Sequence, residues 1–223
     1  AARREPGVTS TNALGTAQFA TLASDQVGAL TTAQMSALET ADLRSITTVA
    51  LAGLNSDQIN ALVSSEVAAL TTNQIQSFST DQLKGLETAD LVTFSSSQVA
   101  ALTATQVVAL NTDQIRAIES DDLRAMSNSS LQALTDPQLE ALSSTQIAGL
   151  AAKVTVLTAT QLQDLSTGQL NAFTTSQFGV MSTAQVSAFT SDQARSLETD
   201  DLRALTTAAI TSLGTEQWNA LTT

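Results

Sequence analysis

The chain has 223 residues, and its 9 Lys and Arg stand against 21 Asp and Glu, which gives a formal net charge of −12. It contains no His and no Cys, and this excludes the usual zinc, haem and iron–sulfur sites, a thiol nucleophile and a Ser-His-Asp triad. The acidic balance argues against nucleic acid as a partner, and no apolar run reaches the roughly 18 residues of a membrane span. We therefore expect no cofactor, no metal site, no catalytic residue and no membrane insertion.

The first 13 residues follow no repeat and are predicted to form a leader that is either flexible or an arm between subunits. From Leu14 onward, large apolar residues recur every eight positions, and 26 such units extend to Ala220. A representative unit is Leu110-Asn-Thr-Asp-Gln-Ile-Arg-Ala117. Because one octapeptide phase persists over nearly the whole chain, we assign residues 14–223 to a single repeat domain.

Each unit is predicted to form one short helix. Its third residue is mostly Ser or Thr, its fifth mostly Gln, its sixth large and apolar, and its eighth small. Ser and Thr favour the N-cap, and Pro137 at the fourth position of its unit fits the first helical residue, which places the N-cap at the third position. Ser or Thr at the second position also allows a Thr-x-x-Gln capping box that begins one residue earlier. The helix then spans about six residues.

Three folds compete for such a repeat. A single continuous helix fails because eight residues advance about 800°, roughly 80° beyond two turns, so its apolar stripe winds around the rod. A β-solenoid needs period-two alternation with Gly or Asn at its corners, whereas this repeat has an i, i+3 apolar pair and only 9 Gly. Helices under two turns are unstable alone, so neighbouring units must bury their apolar residues. We predict an all-α solenoid of very short helices, one per unit, with Ser, Thr, Gln and Asp outside; a β-solenoid is the alternative.

Four units depart from the pattern through a Glu-x-x-Asp-Leu sequence, and three of these continue with Arg. Paired carboxylates are typical of acid–base chemistry or Ca²⁺ binding, but their recurrence along the array favours a structural role in which Glu and Asp cap the helix and Arg pairs with a neighbouring coil. The residues are Glu39, Glu87, Glu119 and Glu198, followed in three units by Arg44, Arg124 and Arg203. One further unit, residues 150–156, has seven residues, which indicates either a kink, a local change in winding or a tolerated deletion.

The array stops at Leu221-Thr-Thr, in the middle of a unit and without a polar capping repeat. Open solenoid ends expose core residues. We therefore expect either that the chain is cut from a longer array or that its ends stack head to tail on further copies, a contact that generates a filament. The candidate subunit-interface residues are Leu14 and Phe19 at one end and Trp218 and Leu221 at the other.

Three phrases of the repeat carry a resemblance to known proteins: Leu-Thr-Thr-Asn-Gln-Ile at 70–75, Leu-Glu-Thr-Ala-Asp-Leu at 38–43 and 86–91, and Gln-Val-Ala-Ala-Leu at 98–102. They resemble the large octapeptide-repeat proteins of proteobacteria, which are described as surface, adhesin-like or secreted repeat proteins. The resemblance implies a bacterial protein that is extracellular or at the cell surface, with a structural or adhesive role. It transfers no functional residues.

These observations predict a non-enzymatic structural protein, the self-associating subunit of an extracellular filament, sheath or surface layer. The alternative is an adhesin stalk or a protein-binding solenoid with a surface or protein ligand. Ice binding through regularly spaced Thr is a remote alternative, because Ser, Asn, Glu and Ala interrupt the Thr rows and helix capping already accounts for them.

Overall fold

The computed structural model describes residues 14–221, and the predicted leader, residues 1–13, lies outside this range. Within this range the chain forms α-helices of four to seven residues and no β-strand, so the all-α prediction is confirmed and the β-solenoid alternative is wrong. One further helix, Ala151–Val156, is a 3₁₀ helix. The α-helices are α1 Thr16–Phe19, α2 Ser24–Gly28, α3 Thr32–Met35, α4 Thr40–Ser45, α5 Thr48–Leu51, α6 Ser56–Asn60, α7 Ser64–Ala69, α8 Thr72–Ser77, α9 Thr80–Lys84, α10 Thr88–Leu91, α11 Ser96–Ala101, α12 Ala104–Ala109, α13 Thr112–Ala117, α14 Ser120–Ala125, α15 Asn128–Gln132, α16 Asp136–Glu140, α17 Ser144–Gly149, α18 Ala159–Asp164, α19 Thr167–Leu170, α20 Thr175–Phe178, α21 Thr183–Ser187, α22 Ser191–Ser196, α23 Thr199–Ala204, α24 Thr207–Thr211 and α25 Thr215–Leu221.

The helices stack in three columns. Each helix packs against the third one after it, as α1 does on α4, α2 on α5 and α3 on α6, so three units complete one coil of the solenoid. We name the columns first, second and third after α1, α2 and α3. The 3₁₀ helix takes a place in the third column, between α15 and α20. None of the helices between residues 14 and 221 is long and apolar enough to cross a bilayer.

The first and sixth residues of the units form one continuous core. In the representative unit, Leu110 and Ile115 are both buried. The eighth residue of the unit is small because it packs against the third residue of the unit one coil earlier. Gly85 is an eighth residue, and a Cβ there would lie only 2.6 Å from the carbonyl oxygen of Ser56, a third residue. At Gly85 the close-packed coils therefore leave no room even for a methyl group.

The helices begin one residue earlier than Pro137 indicated. The N-cap of α8 is Thr71, the second residue of its unit, whose Oγ1 accepts a hydrogen bond from the Gln74 N–H at 3.2 Å. Gln74 Oε1 accepts from the Thr71 N–H at 2.9 Å, which completes a capping box. The predicted N-cap at the third position is wrong, and the Thr-x-x-Gln alternative is confirmed. Pro137 is the second residue of α16, where its missing N–H is equally harmless because the first helical N–H groups have no intrahelical partner.

The seven-residue unit stays in the stack through a local change of winding. Ala151 has a φ of 48°, in the left-handed region that residues other than glycine rarely adopt. Ala151 begins the 3₁₀ helix that takes the place of an α-helix in this unit. Because a 3₁₀ helix rises more per residue than an α-helix, the shorter unit still spans its side of the coil.

Candidate functional site

The fifth residue of the unit joins neighbouring coils. Gln114 is 1% exposed, and its Oε1 accepts the Asn111 N–H of its own unit at 2.9 Å. Its Nε2 donates to the carbonyl oxygens of Leu83 at 3.1 Å and Leu86 at 2.8 Å, which belong to the preceding coil. One buried amide thus satisfies the start of its own helix and the end of a helix one coil earlier.

We call this set of interactions the glutamine ladder. The prediction that Gln lies on the outside is wrong, because the preceding coil covers its side chain and accepts its hydrogen bonds. A helix under two turns leaves most of its backbone N–H and C=O groups without an intrahelical partner, and a primary amide supplies both an acceptor and donors. Among the described residues, 14 glutamines donate to carbonyl groups of the preceding coil: Gln58, Gln74, Gln82, Gln98, Gln106, Gln114, Gln138, Gln146, Gln161, Gln169, Gln177, Gln185, Gln193 and Gln217.

Two other side chains continue the ladder where Gln is absent. Ser130 is the fifth residue of its unit, and its Oγ donates to the Leu102 carbonyl oxygen at 2.8 Å. In the seven-residue unit, Lys153 Nζ donates to the Met126 carbonyl oxygen at 3.1 Å and to Asn128 Oδ1 at 2.9 Å. The ammonium group makes charge-assisted hydrogen bonds, so the joint is preserved through the shortened unit.

The Glu-x-x-Asp-Leu units place their Asp at the ladder position. Asp90 and Asp122 are buried; Asp90 accepts a hydrogen bond from Ser64 Oγ at 2.9 Å and Asp122 accepts one from Ser96 Oγ, both one coil earlier. The four Glu residues are N-caps but make no side-chain capping bond. The prediction that Glu caps these helices is therefore wrong, in keeping with the preference of N-caps for short polar side chains.

Two of the three arginines of these units, Arg124 and Arg203, pair within their own helix. Arg124 lies 2.8 Å from Asp121, and Arg203 lies 3.4 Å from Asp200, three residues earlier in each case. The predicted pairing with a neighbouring coil is wrong for both. Such exposed ion pairs add little stability. Over residues 14–221 no group of three or more Asp, Glu, His or Cys side chains is arranged to hold a metal ion.

One eighth-position residue is acidic and faces another acid. Asp164 interacts with Asp136, the third residue of the unit one coil earlier, and its Oδ2 is buried without a hydrogen-bond partner. Burial, followed by the charge and hydrogen bonding of Asp136 and the charge of Glu140, raises the pKa of Asp164 above its ordinary value. Because the folded carboxyl holds its proton to a higher pH than the unfolded one, stability is lost as the pH rises through this window.

Replacing Asp164 with Ser, a common eighth residue, is therefore expected to raise the melting temperature at neutral pH. The change removes the unpartnered oxygen and the repulsion from Asp136, and the gain shrinks as the pH falls and the carboxyl becomes protonated. Thermal unfolding at about pH 4 and pH 7 measures this. Asp57→Ser is the control, since it removes the same charge from an exposed first-turn site where an acid favours the helix. A lower melting temperature for the Asp164 variant at neutral pH contradicts the prediction.

The four predicted interface residues lie in the first and last described coils, with different exposure. Trp218 is 43% exposed, and Leu14 and Leu221 are partly buried against the core. Phe19 is fully buried, so it packs inside the first coil and is not part of a surface.

Other residues of these two coils are also less buried than their counterparts in the inner coils. Leu202 and Ile210, at sixth positions of the last described coil, are only partly buried, whereas sixth residues of the inner coils are buried. In the first described coil, Gln18 and Gln26 are exposed, unlike the ladder glutamines. These two residues have the same type and the same position in the unit as the buried glutamines, and they differ only in lying in the first described coil.

Successive short helices that stack in three columns around one continuous core define a repeat protein of the α-solenoid class. The family model of the ALTTAQ repeat matches the chain six times, at residues 12–40, 35–72, 83–117, 115–152, 167–197 and 194–223. The chain belongs to the ALTTAQ repeat family. Comparison with curated proteins gave no match.

Proposed function

We propose that this ALTTAQ-repeat protein is a non-enzymatic structural protein that builds a filament, sheath or surface layer by stacking head to tail. The glutamine ladder supports the proposal, because coils along the whole described array are held to the preceding coil by the same kind of buried amide-to-carbonyl bonds. A coil of a second copy carries the same groups, so it can dock as an internal coil does. The resemblance to octapeptide-repeat proteins of proteobacteria supports a place outside the cell or at its surface.

In a head-to-tail stack, the last and first described coils would supply the two halves of a joint like those inside the array. The last described coil presents Trp218 and parts of Leu202 and Ile210, all sixth-position residues. The first described coil presents Leu14 together with the exposed amide of Gln18. Inside the array, ladder amides of one coil donate to first- and sixth-position carbonyls of the coil before it. We expect the contact between two copies to use the same apolar and hydrogen-bonding groups.

Replacing Trp218 with Asp is expected to abolish end-to-end assembly, because a charge would then be buried in the joint. The control is Val49→Asp, which places the same charge at a 76% exposed site on the side of the solenoid. Negative-stain microscopy and sedimentation should show long fibres for the wild type and the Val49 variant, and monomers for the Trp218 variant. Circular dichroism confirms that both variants remain helical.

A wild-type chain that stays monodisperse at high concentration overturns the filament proposal. A discrete rod of that kind supports the other role predicted from the sequence, an adhesin stalk or a protein-binding solenoid. Equal assembly of the Trp218 and Val49 variants also contradicts the head-to-tail contact.

A further inference from the structure

One corner of the solenoid is nearly free of charge. It is formed by α17 and α19 in the second column and by the 3₁₀ helix and α20 in the third, with α19 packed on α17 and α20 packed on the 3₁₀ helix. The units concerned, residues 142–156 and 165–180, contain Lys153 as their one charged residue, and we call their surface the neutral corner. The helices of these two columns in the next coil, together with one N-cap, carry Asp192, Arg195, Glu198, Asp200, Asp201 and Arg203.

The charge of Lys153 is turned away from α20. Its ammonium group donates to the Met126 carbonyl oxygen and to Asn128 Oδ1, which belong to the coil on the other side of the 3₁₀ helix. The exposed side chains of the neutral corner are those of Ala, Ser, Thr, Asn and Val, so the surface that it presents to solvent is uncharged.

A shallow cavity of about 380 Å³ lies in the neutral corner, where α17 meets the 3₁₀ helix and α20. Its lining includes Ala148, Ala151 and Ala152, together with Val180. Val180 is an eighth residue, where most units have Ala, Ser or Gly, and it is 48% exposed. The neutral corner therefore combines an alanine-lined hollow with a half-exposed apolar side chain at the same place.

We propose that two copies of this chain pair side by side through the neutral corner, about a two-fold axis, with Val180 of each copy against the alanines of the other copy's cavity. In a two-fold contact the same surface occurs on both partners. A hollow beside an apolar side chain meets this requirement, and the contact removes Val180 from water. The proposal goes beyond end-to-end stacking, because it joins the sides of two solenoids and uses neither end.

Charge identifies a second copy as the partner. Each chain carries a net charge of −12, so two copies repel each other wherever their acidic surfaces meet. The first column, for example, presents exposed Glu39, Glu87 and Asp113. At the neutral corner two copies approach without placing acids opposite acids, and a strongly charged partner finds no opposite charge there. Such a contact has a distinctive signature, since salt screens the repulsion and strengthens the pairing.

The test is sedimentation velocity of the full chain carrying Trp218→Asp, a change that removes end-to-end stacking from the measurement. A contact of only four units belongs to the small, weak class of interfaces. We therefore expect monomers at about 10 μM and a growing share of dimers toward about 1 mM. The dissociation constant should be at least about tenfold lower in about 0.5 M salt than in about 0.05 M salt. Because the ends take no part, this result is independent of whether the wild type forms filaments.

Ala152 and Ala89 are matched positions for added charge, because both are exposed and only Ala152 lies in the neutral corner; Ala89 belongs to α10 in the first column. In the same background, Ala152→Glu and Ala152→Lys should each raise the dissociation constant at least about tenfold, since either charge is desolvated in the contact. Ala89→Glu and Ala89→Lys should change it less than about threefold in about 0.5 M salt. If net charge alone governed pairing, Ala152→Lys would strengthen it.

Three results overturn the proposal. They are a chain that stays monomeric at about 1 mM in high salt, a pairing that salt weakens, and Ala152 variants that pair as well as the Ala89 variants. Circular dichroism checks that all four variants remain helical. The concentration and salt series of the Trp218→Asp chain requires none of them, so it tests the pairing even where an added charge disturbs folding.

Discussion

Replacing Gln74 with Met is expected to lower the free energy of unfolding by about 3 kcal/mol, whereas Gln76→Met, two residues further along α8, changes it by less than about 0.5 kcal/mol. Gln74 is buried, and its Nε2 donates to the carbonyl oxygens of Leu43 at 2.8 Å and Ile46 at 2.9 Å. Its Oε1 also accepts the Thr71 N–H. Met has a similar volume but replaces none of these bonds, so backbone groups in the joint lose partners that water cannot supply. Gln76 is exposed and keeps its solvation when it is changed.

Urea unfolding followed by far-UV circular dichroism measures the difference between these two variants at one pH. The comparison is well matched, because both substitutions exchange the same residue types in the same helix. If Gln74→Met costs no more than Gln76→Met, the apolar core alone holds the coils together and the ladder contributes nothing to stability.

The helical class and the core could be predicted from the sequence because they depend on residues a few positions apart. Ile115 and Ile118 are three residues apart, a spacing that brings both side chains to one side of a short helix, and both are buried. The ladder could not be predicted in the same way, since the acceptors of Gln114 are 28 and 31 residues earlier. Residues so far apart become neighbours only because three units complete one coil, and the sequence does not give the number of units per coil. A signal was nevertheless present. Gln occupies the fifth position in 17 units, whereas an exposed site would accept Glu or Lys equally well.

The acidic units show the same division between local and distant partners. The partner of Asp90 is Ser64, which is 26 residues earlier, so sequence patterns offered no means of finding it. The pairing of Arg124 with Asp121, three residues earlier on one helix, is by contrast a standard helical spacing that the sequence does contain. The prediction that Arg pairs with a neighbouring coil did not take this local pair into account.

Replacing Gly53 with Ala is expected to destabilise the protein by about 3 kcal/mol, even though Ala is the better helix former. Gly53 lies where α5 packs on α2, and a Cβ there would overlap the carbonyl oxygen of Ser24 and lie 3.1 Å from its Cα. The approach is close in the other direction as well, since a Cβ at Gly28 would lie 2.6 Å from the Gly53 carbonyl oxygen. Both colliding groups are backbone, so no change of side-chain rotamer relieves the overlap, and the two coils must separate at the cost of ladder and core contacts.

Gly168→Ala is the matched control and should have the opposite sign. Gly168 is the second residue of α19, and a Cβ there would meet no atom within 4 Å. The added methyl group therefore only reduces the conformational freedom of the unfolded chain, and we expect a gain of about 0.5 kcal/mol. Urea unfolding of both variants beside the wild type decides the matter, because helix propensity alone predicts a gain in each. A gain for Gly53→Ala would mean that the coils are not packed backbone against backbone, and the limit on the size of the eighth residue would then need another cause.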